Sequence, residues 1–224
     1  MTVYKTPTKL PLEIQKEFFK FFTGENSVKD FEQWLYENSE LEKNLTESEY
    51  LDLISLNFNK NYTKHEVHKI LDAYLNLGEF EKWKIYKILN DLISKNENFI
   101  KSLIQTYNLY CNGFYFMDNL GMNYGLNFVV YEMNSWEELT NHQKQNRIVE
   151  IYEEVKTEAL KILNWIESQK IIITDEKNDY IGYEVIDNRT EEEKELKPEM
   201  VYKLIDKSFI HLLLESVRRF FKKK

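Results

Sequence analysis

The sequence predicts an α+β fold that is predominantly α-helical, and three observations carry this prediction. Apolar residues recur at intervals of three and four along most of the chain, which is the period of an amphipathic helix. Two β-branched runs flank a polar loop at residues 175–179, as is typical of a β-hairpin. The 42% hydrophobic and 15% aromatic content is enough for a buried core and excludes a disordered chain.

Capping signals place the first helices. Ser27 precedes an amphipathic segment, and Thr46 and Thr63 are each followed by Glu three residues later, the spacing of a capping box. We therefore expect helices to begin at these three residues. The helix that begins at Thr63 is expected to end at Gly78, because glycine readily adopts the left-handed conformation of a helix C-cap.

Four further apolar stripes predict later helices. They cover about 80–93, 99–107, 140–166 and 198–220. Ser135 and Thr140 are both possible caps for the third of these, since Glu or Gln follows each after three residues. Pro198 suits the first turn of the last helix.

The middle of the chain has a different composition. Residues 113–131 hold three of the six glycines and six aromatic residues, which favours strand, turn and strand. With the later hairpin, this predicts a small antiparallel sheet braced by two long helices. We expect a single domain, 1–224, with a helical part at about 1–112 and the sheet with its long helices at about 113–224.

Composition and charge exclude several functional classes. The net charge of −8 argues against a nucleic-acid-binding protein, whose phosphate contacts need a basic face. The single cysteine, Cys111, excludes a disulfide framework and a cysteine-built zinc site. No apolar run approaches the roughly 20 residues that span a bilayer, so no stable membrane insertion is expected. The N-terminus lacks a signal-peptide pattern, which predicts a cytoplasmic protein.

The candidate catalytic and metal sites are weak in sequence. His65 and His68 are spaced i,i+3 rather than i,i+4 as in the zinc-protease motif, so solvated surface histidines are expected. Cys111 has no histidine nearby in sequence and is expected to be a buried small hydrophobe. Residues 121–125, Gly-Met-Asn-Tyr-Gly, suggest a plain turn between strands or an exposed recognition loop. We therefore expect no catalytic residue, no metal site and no cofactor.

The hairpin is the best candidate for binding a partner protein. It combines carboxylates, which attract a basic partner, with tyrosines, which supply rigid contact area. The alternative is a solvated hairpin loop. The candidate partner-binding residues are Asp175, Glu176, Asp179, Tyr180, Tyr183, Glu184 and Asp187. The five basic residues within 218–224 leave −13 on the rest of the chain, so this body is more acidic than the total indicates.

Two stretches of the chain resemble bacterial immunity proteins of polymorphic-toxin and contact-dependent inhibition systems. The first, residues 28–58, has the pattern Phe-Glu-x-Trp-Leu-Tyr, then Leu-Glu, then Tyr-x-x-Leu-Ile-x-Leu-x-Phe. The second, residues 162–189, contains Ile-Leu-Asn-Trp-Ile, then three isoleucines, then Ile-Asp-Asn-Arg. The residues of the first stretch that match are Phe31, Glu32, Trp34, Leu35, Tyr36, Leu41, Glu42, Tyr50, Leu53, Ile54, Leu56 and Phe58.

The resemblance implies a non-enzymatic protein that binds a cognate toxin, possible targets including a basic nuclease, and neutralises it by occluding its active site. It carries over no toxin-contact residue. Two other functions stay open from the residues alone. One is a metal-dependent enzyme of nucleic-acid or phage-defence metabolism, built from scattered carboxylates and His. The other is a helical adaptor or scaffold that docks through its C-terminal helix.

Overall fold

A computed structural model describes residues 8–132 and 140–195. Within these residues the fold is α+β and predominantly helical, with one antiparallel two-stranded sheet. The helices are α1 (Leu12–Thr23), α2 (Val28–Glu37), α3 (Ser39–Asn44), α4 (Glu47–Ile54), α5 (Thr63–Leu71), α6 (Leu77–Ser94), α7 (Phe99–Cys111), α8 (Leu126–Glu132), α9 (Asn141–Glu167) and α10 (Glu191–Lys194). A 3₁₀ turn (Tyr115–Met117) and a π-helix (Asn119–Gly125) lie between α7 and α8.

The chain divides into two compact units, Met1–Trp83 and Lys84–Lys224, and the boundary lies within α6. The N-terminal unit has a core of aromatic and leucine side chains from α1 to α5. Phe21 and Phe31 stack at its centre, with ring centroids 3.8 Å apart, and both are fully buried. Burial of such a side chain contributes roughly 1.5–3 kcal/mol. That the two units form one domain stays a prediction.

The C-terminal unit has its own core, in which α7 packs on the π-helix and α9 contacts both the π-helix and the sheet. The sheet consists of β1 (Ile171–Lys177) and β2 (Tyr183–Asp187), paired in the predicted hairpin. Ile172 pairs with Ile186, and the register shifts before Lys177 pairs with Tyr183. Because β1 contacts α9, the buried side of the hairpin faces this helix, which is one of the two predicted bracing helices.

Several predicted helix starts are confirmed. Ser27 caps α2, and both Thr46 and Thr140 form complete capping boxes, for α4 and α9. Thr63 is not a cap, because its buried hydroxyl donates instead to the carbonyls of Asn57 and Lys60. The alternative cap Ser135, the predicted helix at 198–220 and the basic segment 218–224 lie outside the described residues.

Gly78 does not end the helix that begins at Thr63. That helix, α5, ends at Leu71, and Gly78 lies inside the first turn of α6. Asn76 explains the difference, since its side-chain oxygen accepts a hydrogen bond from the backbone N–H of Glu79 over 2.7 Å. A side-chain acceptor three residues before a free amide is the geometry of a helix start, so a new helix begins where the sequence suggested an end.

The prediction of strand, turn and strand over 113–131 is wrong, because the segment is helical. Gly121 and Gly125 lie on the face of the π-helix that packs on α7. A Cβ at Gly125 would lie 2.5 Å from the carbonyl oxygen of Leu103, and one at Gly121 would lie 3.0 Å from that of Thr106. The two glycines therefore permit the π-helix to approach α7 closely, and they are not the turn residues that the sequence predicts.

Candidate partner-binding surface

The hairpin and the turn that follows α7 together form a pocket of about 220 Å³, called here the hairpin pocket. Its lining comprises Gly113, Tyr115, Phe116, Asn178, Asp179, Tyr180, Tyr183, Glu184, Val185 and Asp187. Five of the seven predicted partner-binding residues are therefore brought together. The other two, Asp175 and Glu176, lie on β1 outside this lining, with exposed side chains.

Asn178 attaches the hairpin loop to the rest of the unit. Its side-chain amide donates to the carbonyl of Asn112 over 2.9 Å, and its side-chain oxygen accepts from the backbone N–H groups of Tyr180 (2.9 Å) and Gly182 (3.1 Å). A Cβ at Gly182 would lie 2.5 Å from the same Asn112 carbonyl, so only glycine fits this close contact. The loop is held in one position by these contacts.

Two exposed tyrosines form the rim of the hairpin pocket. The hydroxyl groups of Tyr115 and Tyr180 are hydrogen-bonded at 2.9 Å, and the rings meet edge to face with centroids 6.3 Å apart. The hydrogen bond with Tyr180 raises the pKa of the Tyr115 hydroxyl. Tyr115 is 52% exposed, Tyr180 58% and the neighbouring Ile181 89%. Large side chains held rigidly at this exposure are typical of contact residues in protein interfaces.

The carboxylates of the pocket have two different roles. Asp179 and Glu184 are exposed and contribute negative charge at the rim. Asp187 instead accepts hydrogen bonds from Nε and Nη2 of Arg189, the shorter at 2.8 Å. Burial raises the pKa of Asp187, but the bonds from Arg189 outweigh that effect and leave it below its usual value. Both Asp187 oxygens are thus engaged within the chain.

Arg189 organises the side of the hairpin that faces α9. It is only 6% exposed, and its guanidinium lies 4.6 Å from the ring centroid of Trp165. The indole N–H of Trp165 donates to Glu193, which also accepts from Lys170 over 2.6 Å. The hydrogen bond from Lys170 lowers the pKa of Glu193 to about 2. These contacts connect α9, the residue before β1, and α10.

Sequence reasoning missed Tyr115, Asn178 and Gly113 as parts of this surface. Tyr115 belongs to the segment read as a strand, and no local pattern shows that it lies beside Tyr180, which is 65 positions away. Asn178 is recognisable only as a turn residue. The available signal is the high aromatic content of residues 113–131. In the sequence this content predicts strands, whereas the structure has a π-helix in this segment.

The other predicted sites differ in outcome. His65 is exposed and His68 partly exposed on α5, and the ring of His68 lies beside Phe22 with centroids 5.4 Å apart. Cys111 is exposed, so the prediction of a buried cysteine is wrong: it is the last residue of α7. The segment 121–125 is neither a turn between strands nor an exposed loop, because four of its residues are buried in the π-helix.

Within the described part of the chain, no group of three or more His, Cys, Asp or Glu side chains is placed to hold a metal ion. None of the helices in residues 8–132 and 140–195 is long and apolar enough to cross a lipid bilayer. A comparison of the chain with protein-family models, with curated proteins and with solved structures finds no match.

Proposed function

We propose that this chain is a non-enzymatic immunity protein that binds a cognate bacterial toxin and neutralises it by occluding its active site. The observation that carries the proposal is the rigid, exposed and acidic surface around the hairpin pocket. Tyr115, Tyr180 and Ile181 supply apolar contact area, and Asp179 and Glu184 supply negative charge beside it. The resemblance of residues 28–58 and 162–189 to immunity proteins supplies the class of partner.

The physical argument rests on preorganisation. A loop that must become ordered on binding loses conformational entropy, and this loss weakens the complex. Here the hydrogen bonds of Asn178 and the contact between Tyr115 and Tyr180 hold the loop before any partner arrives. Tyrosine is enriched among the residues that dominate binding energy, and surrounding carboxylates raise the association rate with a basic partner.

The mode of inhibition follows from the charge. A nuclease toxin has a basic groove that binds phosphates, and an acidic surface of an inhibitor competes for the same groove. The exposed carboxylates of Asp179 and Glu184 would then occupy positions that substrate phosphates otherwise take. Tyr180 and Ile181 would contact the apolar surface beside the groove.

The direct test is co-expression with the product of the adjacent gene, followed by co-purification and measurement of toxicity. We expect the adjacent product to be toxic alone, and to be bound and neutralised by this chain. Tyr180→Ala is expected to weaken the complex by about 30-fold, the effect of losing roughly 2 kcal/mol at a dominant contact. Asp179→Lys is expected to slow association and to reduce its dependence on salt.

Matched variants outside the hairpin serve as controls. Tyr62 is 59% exposed, close to the exposure of Tyr180, so Tyr62→Ala removes a similar area elsewhere. Asp52 is an exposed carboxylate on α4, and Asp52→Lys changes the charge by the same amount as Asp179→Lys. The proposal is lost if the adjacent product is not bound, and the contact surface is wrong if the control variants weaken binding as much as the hairpin variants.

A further inference from the structure

A second pocket, of about 600 Å³, lies within the N-terminal unit. The charged side chains that line it are mostly basic, although the unit itself is acidic. Residues 8–83 contain nine lysines against fifteen acidic residues. Three of these lysines, Lys29, Lys60 and Lys64, line the pocket, and Glu32 is the one carboxylate in the lining. Lys29 and Lys60 form no ion pair with any other described residue. The pocket is therefore a locally basic site in an acidic unit.

Lys64 is held in place at this pocket. Its ammonium donates to the backbone carbonyl of Phe22 over 3.3 Å and lies 5.5 Å from the ring centroid of Phe21. Lys64 is only partly exposed, because its side chain lies against α1. One carbonyl bond leaves ammonium protons for a ligand, since a lysine has three donors.

The wall and floor of the pocket are also well defined. The buried hydroxyl of Thr63 donates to the carbonyls of Asn57 (2.9 Å) and Lys60 (2.6 Å), which fixes the turn that carries Lys60. Val28 is 41% exposed and gives the pocket accessible apolar surface, whereas Phe21 and Phe58 are buried at its floor. The amide side chains of Asn59 and Asn61 add neutral hydrogen-bonding groups to the same wall.

We propose that this pocket binds a small phosphorylated organic molecule, with the phosphoryl group on Lys29, Lys60 and Lys64 and the organic part against the side chain of Val28. Its volume is within the roughly 300–1,000 Å³ that is usual for small-molecule sites. Lysine ammoniums bind phosphate as point charges. Arginine is the residue that binds planar carboxylates through two parallel hydrogen bonds, and residues 8–83 contain no arginine. Three lysines against one carboxylate suit a ligand that carries two negative charges.

The test is an NMR titration of the full-length, ¹⁵N-labelled chain with phenyl phosphate at constant ionic strength. We expect saturable shifts of the Asn59, Lys60 and Asn61 amide resonances. The double variant Lys29→Met/Lys60→Met is expected to bind at least about tenfold more weakly, because it removes two of the three positive charges that bind the phosphoryl group. Both lysines are exposed, so the double variant retains the packed core.

Lys69→Met is the matched control, since Lys69 is exposed on α5 but does not line the pocket. Its affinity for phenyl phosphate is expected to stay within about twofold of that of the unaltered chain, as for a surface change away from the ligand. Shifts that do not saturate, or an equal loss of affinity in Lys69→Met, would overturn the site. Inorganic phosphate is expected to bind more weakly, and equal affinity would overturn the contact of the organic part with Val28.

Discussion

The hydroxyl of Tyr115 is hydrogen-bonded to the hydroxyl of Tyr180 over 2.9 Å, although the two residues lie on separate segments of the C-terminal unit. The bond joins the 3₁₀ turn after α7 to the tip of the hairpin. Asn178 makes a second connection between the same segments through the carbonyl of Asn112. A hairpin loop that would otherwise be free in solvent is thereby tied to a packed helix, and its exposed side chains are presented in a fixed arrangement.

Asn178→Ala is expected to destabilise the C-terminal unit by about 1–3 kcal/mol. The variant removes the donor to Asn112 and the acceptor for two loop amides, and each lost hydrogen bond contributes about 1 kcal/mol. Urea denaturation measures the change. Asn188→Ala, at an exposed position after β2, is the control and is expected to change stability by less than about 0.5 kcal/mol. Equal effects of the two variants would contradict the proposed attachment of the loop.

Gly125→Ala is expected to destabilise the chain more than Gly121→Ala. The added methyl group would lie 2.5 Å from a backbone oxygen at Gly125 and 3.0 Å from one at Gly121. Both oxygens belong to the backbone of α7, which cannot move aside as a flexible side chain can. The shorter contact, at Gly125, therefore forces the larger displacement. We expect about 1–3 kcal/mol for Gly125→Ala, measured as a shift of the denaturation midpoint. The reverse order would show that the π-helix can move away from α7.

Tyr74 makes the stability of the N-terminal unit sensitive to alkaline pH. Its hydroxyl donates to Glu49 over 2.5 Å, and burial together with this bond raises the pKa of Tyr74 to about 12. A raised pKa stabilises the folded state fully below pH 10, the usual value for tyrosine, and this contribution is lost as the pH rises from 10 through about 12.

The comparison of the unaltered chain with Tyr74→Phe tests this relationship. We expect Tyr74→Phe to be less stable by about 1–2 kcal/mol at pH 8, with the difference decreasing above pH 10. The measurement is the free energy of unfolding between pH 8 and pH 11. Tyr62→Phe, an exposed tyrosine of the same unit, is the control and is expected to show a small difference at every pH. A Tyr74→Phe difference that does not change with pH would refute the coupling to Glu49.

Glu193 gives the C-terminal unit a dependence on acid. The hydrogen bond from Lys170 holds its pKa at about 2, against an ordinary value of 4.5. A lowered pKa stabilises the folded state above pH 4.5, and this contribution disappears as the pH falls through about 2. Glu193→Gln should therefore lose less stability than the unaltered chain between pH 5 and pH 2. Glu176→Gln, at an exposed position on β1, should keep the slope of the unaltered chain. Identical slopes for Glu193→Gln and the unaltered chain would contradict this.

Local signals predicted most of the regular structure correctly. The stripe over 140–166, capped by Thr140, is α9, and the two β-branched runs are the predicted hairpin. These features are readable because a helix cap and a hairpin involve residues that are close in sequence. The prediction was wrong where one residue type serves two purposes: glycine marks turns, and it also permits two helices to pack closely, as Gly121 and Gly125 do.

The sequence by itself determined the helical character, the hairpin, the acidity and five residues of the hairpin pocket, since each follows from composition or from short-range periodicity. Only the tertiary structure decided that Tyr115 meets Tyr180, that Arg189 lies against the ring of Trp165, and that Lys29, Lys60 and Lys64 line one pocket. The physical reason is distance along the chain. Side chains from separate elements are brought together by the packing of hydrophobic cores, and a core specifies which faces are buried without any local pattern that names the partners across it.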